Sequence, residues 1–226
     1  MTLCWICGDT ADTAEHFLKA SDVRLVFGKG TIRTFIHKEN DRPHIIQGAK
    51  SDLLKFSENI CTTCNSGRTQ RHDTAWERLS KWMRQNPTVL SPGRHLNFKG
   101  AFGSEVHSEG INLHLYFLKL LGCLAATHSV NLPLNLMGLC ILSGIPYPDM
   151  YMQFYAYPTN SPQELAINEF TVLGTKTVPI AAIWSYRVGI FAVGLKFINL
   201  STSADGQKLG WHPQINPKSP KLRGEA

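Results

Sequence analysis

The pattern of hydrophobic and polar residues divides the chain into a polar front and an apolar back. The first 110 residues hold 15 Lys plus Arg and 12 Asp plus Glu, whereas the remaining 116 hold 8 and 5. In the front part, apolar residues recur at helical spacing behind Asp73 or Thr74, and Asn86-Pro87 ends this pattern. The front therefore predicts a strand at residues 31–37 and, later, a helix with Asp73 or Thr74 as its N-cap.

The back half opens with an apolar segment at residues 113–126 that contains no proline, which is typical of a buried helix. Candidate strands follow, separated by Pro, Gly and Asn turn signals, at residues 136–142, 150–157, 170–173, 180–186 and 190–197. This order of elements predicts an α+β fold, in which an N-terminal module is followed by a helix and a mostly antiparallel β C-terminal region.

The same patterns suggest a division into segments. Residues 1–90 form the N-terminal module, and residues 91–110, rich in Gly and Pro, are expected to be a linker or an irregular loop. Residues 111–200 form an α+β domain whose role the sequence does not indicate. Residues 201–226 hold Gly, Pro and Lys with few apolar residues, and we expect them to be a flexible tail.

Composition indicates an ordinary globular protein. A hydrophobic content of 43% supplies a core without disulfides, and polar residues interrupt the longest apolar runs. The N-terminus shows no charged region followed by an apolar run, so we expect no membrane segment and a cytoplasmic location. The formal charge of +6 favours a polyanionic partner.

Four of the six cysteines form two CxxC pairs, Cys4 with Cys7 and Cys61 with Cys64. Four thiolates are a ligand set that tetrahedral Zn²⁺ takes, and a closed four-sulfur site is structural because it leaves no position for water. The alternative is that one pair is a redox motif or merely buried. Cys123 and Cys140 lie among apolar residues, and we assign them to the core.

Each CxxC pair with its turn is called a knuckle below, the first at Cys4–Cys7 and the second at Cys61–Cys64. A Glu15-His16 pair lies between the two knuckles, and Asn65 directly follows the second one. The order CxxC, Glu-His, CxxCN resembles the zinc-stapled branch of the HNH endonucleases over residues 4–85. The resemblance implies a ββα-metal unit of the treble-clef type, in which the second knuckle opens the helix. It also implies a catalytic site on the paired Glu-His motif.

By this resemblance His16 matches the general base that takes a proton from the attacking water. Glu15 matches the acidic metal ligand, and Asn65 matches the last residue of the motif, which faces the catalytic metal. Asn59 is the candidate for the middle asparagine that steadies the histidine loop. The alternative for Glu15 and His16 is an exposed acid and a packed or capping histidine.

His72 and Asp73 follow Asn65 by one to two helical turns, so one of them could complete the ligand set of the catalytic ion. A hard ion such as Mg²⁺ or Mn²⁺ would neutralise charge on the scissile phosphate. Simple helix capping explains both residues as well.

Basic residues flank the second knuckle and its helix, at Arg68, Arg71, Arg78, Lys81 and Arg84. They could hold phosphates through counterion release, although a solvated helix face explains them equally well. Trp76 and Trp82 are spaced for helix packing, with base stacking as the alternative.

The sequence thus favours a metal-dependent endonuclease, acting on DNA in preference to RNA, with His16 as its base. The chain lacks the proline that many HNH relatives carry after the Glu-His pair, since Phe17 follows His16. The second hypothesis is therefore a non-catalytic zinc module that binds nucleic acid or protein. The third is a structural protein whose knuckles compensate for a small front core. Convergence of Glu15, His16 and Asn65 on a second metal position would distinguish the first hypothesis from the second.

Overall fold

The structure is a computed structural model, and it describes residues 2–28, 32–36, 43–46, 48–158, 165–199, 209–215 and 218–224. For residues 32–36 and 43–46 only the backbone is described. The described chain contains helices and a mixed sheet, which confirms the α+β class.

The helices are α1 (Ala20–Phe27), α2 (Gln70–Gln85), α3 (Phe98–Phe102), α4 (Val106–Thr127) and α5 (Leu134–Ser143). Helix α4 confirms the buried helix predicted at residues 113–126. Helix α2 ends before Pro87 as predicted, but it begins earlier than Asp73 because a π-helical turn, Thr63–Arg68, leads into it and Thr69 stands at its N-cap.

The strands form a two-stranded hairpin and a six-stranded sheet. The hairpin pairs β1 (Ile32–Ile36) with β2 (Pro43–Ile46). Strand β1 confirms the strand predicted at residues 31–37. The large sheet contains β3 (Met150–Ala156), β4 (Leu165–Ile167), β5 (Thr171–Gly174), β6 (Pro179–Val188), β7 (Phe191–Ile198) and β8 (Leu222–Arg223). Its order is β4-β6-β7-β3-β8, with β5 also on β6, and only the β3–β8 pair is parallel. Four of the five strands predicted in the back half are confirmed.

The strand predicted at residues 136–142 is wrong, because this segment is helix α5. Met137, Gly138 and Ile141 are buried at helical spacing, and Gly144 ends the helix in the left-handed conformation with φ +69°. Leu136, Leu139 and Leu142 are 51%, 58% and 40% exposed, so one face of the helix is apolar and open to solvent.

Residues 91–110 and the C-terminal tail are also more ordered than expected. The predicted linker contains α3 and the first turns of α4. In the tail, the Leu222 backbone N–H donates to the Arg94 carbonyl at 2.7 Å, and its carbonyl accepts from the Gly93 N–H at 2.8 Å. This part of the tail has few apolar side chains to pack into the core. Backbone pairing with residues 93–96 and with β3 holds it in place instead. Residues 201–208, 216–217 and 225–226 of the predicted tail lie outside the described residues.

Helix α4 lies at the centre of a core shared by the front and the back of the chain. On one side Phe117 packs edge-on against Trp76 of α2, and Tyr186 of β6 also meets the Trp76 ring edge-on. The stretch Phe98–Thr127 is long and apolar enough to cross a membrane, but 78% of its most apolar window is buried inside the protein. This burial is consistent with the core helix of a soluble protein.

Gly122 allows the first CxxC pair to pack directly on α4. A Cβ at this position would lie 2.3 Å from the Trp5 ring, and Trp5 stands between Cys4 and Ile6 in the chain. We therefore expect Gly122→Ala to lower the free energy of unfolding by about 1–3 kcal/mol through overpacking. Urea denaturation measures this change. The matched variant Gly67→Ala, where a Cβ meets nothing within 4 Å, should change it far less.

Candidate functional site

The four cysteines of the two CxxC pairs come together at one point. The sulfurs of Cys4, Cys7, Cys61 and Cys64 all lie within 4.8 Å of one another, and the Cys7 and Cys61 sulfurs are 3.6 Å apart. Zn–S bonds of about 2.3 Å in a tetrahedron place the sulfurs about 3.8 Å apart. The cluster could therefore hold a metal ion such as zinc, and the donor set has the chemistry that zinc prefers.

Tight turns bring the sulfurs together. In the first knuckle the Cys4 N–H donates to the Asp9 carbonyl at 2.7 Å, and Gly8 turns the chain with φ +83°, a conformation that favours glycine. In the second knuckle the Cys64 N–H points at the Cys61 sulfur at 3.4 Å. The two knuckles are joined by the Trp5 N–H, which donates to the Asn59 carbonyl.

The thiols of the cluster differ in how readily they ionise. Burial raises the pKa of Cys7 to about 11 and also raises that of Cys64. Burial opposes ionisation of Cys4 as well, but backbone hydrogen bonds from Cys61, Cys7 and Ile6 outweigh it and lower the Cys4 pKa. A metal ion that bound here would displace the remaining thiol protons, and its binding free energy would add to the stability of the fold.

The Glu15–His16 segment runs beside the strand-like segment that leads into the second knuckle. Backbone bridges join Thr13 to Ile60 and His16 to Lys55. The Asn65 amide nitrogen lies 3.4 Å from the Thr13 hydroxyl and 3.5 Å from the Ala14 carbonyl. The structure thus brings Asn65 next to the Glu15–His16 segment.

Glu15 and Asp73 are brought together, but a lysine lies between them. The ammonium of Lys119, from α4, is 2.6 Å from a Glu15 carboxylate oxygen and 2.8 Å from one of Asp73. It also lies 3.3 Å from the Thr69 hydroxyl, and Lys19 contacts Asp73 at 3.2 Å. In this structure the two carboxylates bind an ammonium, and the metal-ligand roles of Glu15 and Asp73 stay predictions.

Lys119 is completely buried and remains charged. Burial by itself lowers the pKa of Lys119, but the negative charges of Glu15 and Asp73 outweigh burial and raise it. The Lys119 ammonium has no solvent access and is shared by two carboxylates and the Thr69 hydroxyl. We therefore interpret this cluster as a structural ion-pair network.

His72 does not lie in a group of side chains that could hold the catalytic ion. Its side chain is buried, and Nδ1 lies 3.1 Å from the side-chain oxygen of Asn112 on α4. Burial lowers the pKa of His72 to about 4, so the ring is neutral at pH 7. Within the described part of the chain, the four cysteines are the only group of three or more His, Cys, Asp or Glu placed to share a metal ion.

His16 is half-buried, and its Nε2 has no hydrogen-bond partner among the described residues. Burial lowers the pKa of His16, an effect that the adjacent Glu15 charge partly opposes. The imidazole is therefore neutral near pH 7, as a general base requires. The Glu15 carboxylate accepts from the His16 backbone N–H at 3.0 Å, so it does not orient the ring.

Asn59 does not steady the histidine loop as predicted. Its amide nitrogen donates to the Cys123 carbonyl at 3.0 Å and to the Thr127 hydroxyl at 3.1 Å, so the side chain fixes the second knuckle to α4. Cys123 is buried in this contact, and burial raises the pKa of its thiol to about 12, as expected of an inert core cysteine.

The basic residues near the second knuckle differ in their partners. Arg78 is ion-paired with Glu105 and Glu109, at 3.1 and 3.0 Å, and Arg84 with Asp22. Arg68, Arg71 and Lys81 hold exposed positions, and the Arg68 guanidinium lies 3.5 Å from the Cys64 sulfur. A shallow groove of about 410 Å³ is lined by Gly67, Arg68, Gln70, Arg71, Ile141 and Leu142. Trp76 is fully buried and donates to Asp22 at 2.8 Å, so its core role is confirmed.

Lys119 is the residue of this site that the sequence pattern did not reveal. Its signal is a single Lys within the apolar run at residues 113–126, which contains no Asp, Glu or Arg. A lysine in that position needs buried acidic partners, but the sequence does not say which acids supply them.

Comparison with protein-family models, with curated proteins and with solved structures finds no match to this chain.

Proposed function

We propose that this protein is a zinc-stapled nucleic-acid-binding protein that does not cut its ligand. The observation that carries the proposal is the Lys119 ammonium between Glu15 and Asp73, at 2.6 and 2.8 Å. In the HNH-type reaction a divalent cation would be needed beside the acid of the Glu-His pair. Here a covalently attached, fully buried cation neutralises the Glu15 carboxylate instead.

Exchange of this lysine for a metal ion is energetically unfavourable. The ammonium would have to leave two carboxylates and remain buried without a partner, which costs about 3–5 kcal/mol for a typical buried pair. A divalent ion added beside the ammonium would meet like-charge repulsion at short range. The network therefore favours a protein that has the zinc knuckles and the Glu-His pair but binds no catalytic metal ion.

Charge supports nucleic acid as the ligand. The chain carries a formal charge of +6, and much of its acidic complement near the knuckles is neutralised internally, by Lys119, Lys19 and Arg78. Exposed cations are thereby left to contact phosphates. Two CxxC pairs whose sulfurs meet as a possible metal-ligand set favour a reducing compartment such as the cytoplasm.

The second candidate is the metal-dependent endonuclease, and one observation favours it. His16 is neutral near pH 7, and its Nε2 makes no hydrogen bond to any described residue. This nitrogen is buried, so the surrounding segment would have to open before it could take a proton from water. This reading requires Lys119 to leave Glu15, or a metal site built from other groups around Asn65.

A cleavage and binding assay distinguishes the two candidates. We expect zinc-loaded protein to bind labelled DNA or RNA and to leave supercoiled plasmid and single-stranded substrates intact with Mg²⁺ or Mn²⁺. We expect His16→Ala to bind as the natural protein does. Gel analysis of products and fluorescence anisotropy measure the two outcomes.

Metal-dependent cutting that disappears in His16→Ala, with zinc content and melting temperature unchanged, would establish the nuclease and reject the proposal. Absence of both cutting and binding would reject nucleic acid as the ligand.

A further inference from the structure

One face of the large sheet is buried, and the other is only partly covered. Alternate residues of β3, β6 and β7, such as Phe154, Trp184 and Val193, are buried against the helices. The intervening residues lie on the other side, which we call the outer sheet face. Several of them are buried as well, namely Tyr151, Gln153, Ala181, Ala192 and Gly194. The partly or fully exposed positions of this face are Tyr155 on β3, Ile183, Ser185 and Arg187 on β6, Lys196 on β7 and Arg223 on β8.

Strand register places Arg223 next to Tyr155, whereas Lys196 lies opposite Tyr151, four positions away along β3. In the β3–β7 ladder Tyr155 is opposite Ala192, and in the parallel β3–β8 pair it is opposite Arg223. Arg187 is also opposite Ala192, from the other side of β7, and its guanidinium stacks over the Tyr157 ring at 3.9 Å. Lys196 lies on the same face, two positions beyond Gly194.

All charged side chains described on the outer sheet face are positive. For Lys196 and Arg223, the structure shows no carboxylate within ion-pairing distance among the residues it describes. Burial lowers the pKa of Lys196, and the charge of Arg223 lowers it further. Two cations that repel each other, with no counter-charge among the described residues, form a site that a bound anion would stabilise.

Tyr155 adds an aromatic surface to these charges. Gly194 lies beneath its ring, because a Cβ there would be 3.1 Å from a ring carbon. The Tyr155 hydroxyl donates to the Gln153 side-chain oxygen at 2.5 Å, which fixes the ring over the sheet. The partly exposed Tyr155 side chain thus lies over the glycine.

We propose that the outer sheet face binds single-stranded nucleic acid, with a base stacked on Tyr155 and the flanking phosphates on Lys196 and Arg223. This inference rests on the proposed function and assigns its ligand class and surface. A flat face with an aromatic ring suits unstacked bases, whereas duplex recognition uses a helix or ribbon that enters a groove. The Arg68–Arg71 groove has aliphatic walls, Ile141 and Leu142, and no aromatic ring in its lining.

The test is fluorescence anisotropy of zinc-loaded full chain with oligothymidine of about 20 nucleotides, over a range of salt concentrations. Lys196→Gln/Arg223→Gln should weaken binding at least tenfold and reduce the salt slope by about 1.4, since each phosphate contact on a single strand contributes about 0.7. Tyr155→Leu should weaken binding five- to hundred-fold with little change in salt slope, because stacking carries no charge.

Control variants distinguish an effect of this surface from a general loss of positive charge and from unfolding. Arg24→Gln/Lys50→Gln removes the same charge from exposed positions elsewhere and should leave affinity within threefold. Lys196→Arg/Arg223→Lys should retain binding if the positive charges act. Zinc content and melting temperature verify that each variant is folded, and if Tyr155→Leu is unstable, Tyr155→Phe should retain the stacking contribution.

Several outcomes would overturn the inference. If Arg71→Gln/Lys81→Gln abolished binding while the Lys196/Arg223 variant bound normally, the surface would be wrong and the proposed function would stand. Preference for a matched duplex over the single strand would reject the ligand class. If the natural protein bound no nucleic acid at all, the proposed function itself would fail, and this inference with it.

Discussion

Cys61→Ser is expected to abolish metal binding by the cysteine cluster and to unfold the front half of the chain. Structural zinc contributes about 10–16 kcal/mol of apparent binding free energy in small zinc domains, which is comparable to the whole stability of a typical protein. With three sulfurs left, the site loses its closed tetrahedral set. Because the knuckles pack on α4 through Trp5 and Asn59, loss of the site also exposes the central helix.

Elemental analysis and circular dichroism measure this effect. The natural protein should contain one equivalent of zinc and lose its cooperative melt when a strong chelator is added. Cys140→Ser is the matched control, because Cys140 is half-buried on α5 and lies outside the cluster. Full zinc content and an unchanged melting temperature in Cys61→Ser would show that the cluster is not a structural metal site.

The cysteine cluster and the long helices were predictable because their signals are local. A CxxC pair places two sulfurs on one turn, and the ligand chemistry of zinc requires two such pairs to meet. Helix α4 follows from an apolar run too long for a strand. The strands β3, β6 and β7 follow from short runs bounded by turn residues.

The wrong predictions concern signals that are ambiguous or nonlocal. The apolar run at residues 136–142 fits a buried strand as well as a helix, and its helical form with an open leucine face is decided by packing of Gly138 on the Trp5–Ile6 backbone. The β8 pairing depends on contacts with Arg94 and β3, far away in the chain.

The candidate catalytic site could also be predicted only in part, because it too depends on contacts between residues far apart in the chain. A motif names residue types in order, and it correctly predicted that Asn65 lies close to the Glu15–His16 segment. It could not show that Lys119, 104 residues after Glu15, takes the position of the expected cation. Whether the carboxylates bind a metal or an ammonium is decided by this one distant residue.

Lys119→Met is expected to lower the free energy of unfolding by about 3–5 kcal/mol at pH 7, the cost of removing one partner from a buried ion pair. Methionine fills most of the volume of lysine, so the loss is mainly electrostatic: the buried carboxylate of Glu15 and the nearby one of Asp73 lose their shared cation. Urea denaturation, with the m-value checked for a two-state transition, measures the change. Lys81→Met, at an exposed position of α2, is the control and should stay within about 0.5 kcal/mol.

The triple variant Lys119→Met/Glu15→Gln/Asp73→Asn should recover much of the lost stability, since it leaves no unpaired charge in the core. It also keeps the comparison informative if Lys119→Met alone is too unstable to purify. A Lys119→Met protein as stable as the natural one would mean that Glu15 and Asp73 do not depend on the ammonium. In that case a solvent cation or a bound metal would have to supply their counter-charge, and the endonuclease reading would regain its missing ion. Recovery in the triple variant, with zinc content unchanged, would instead show that Lys119 is the resident counter-ion of this site and that its carboxylates serve the fold.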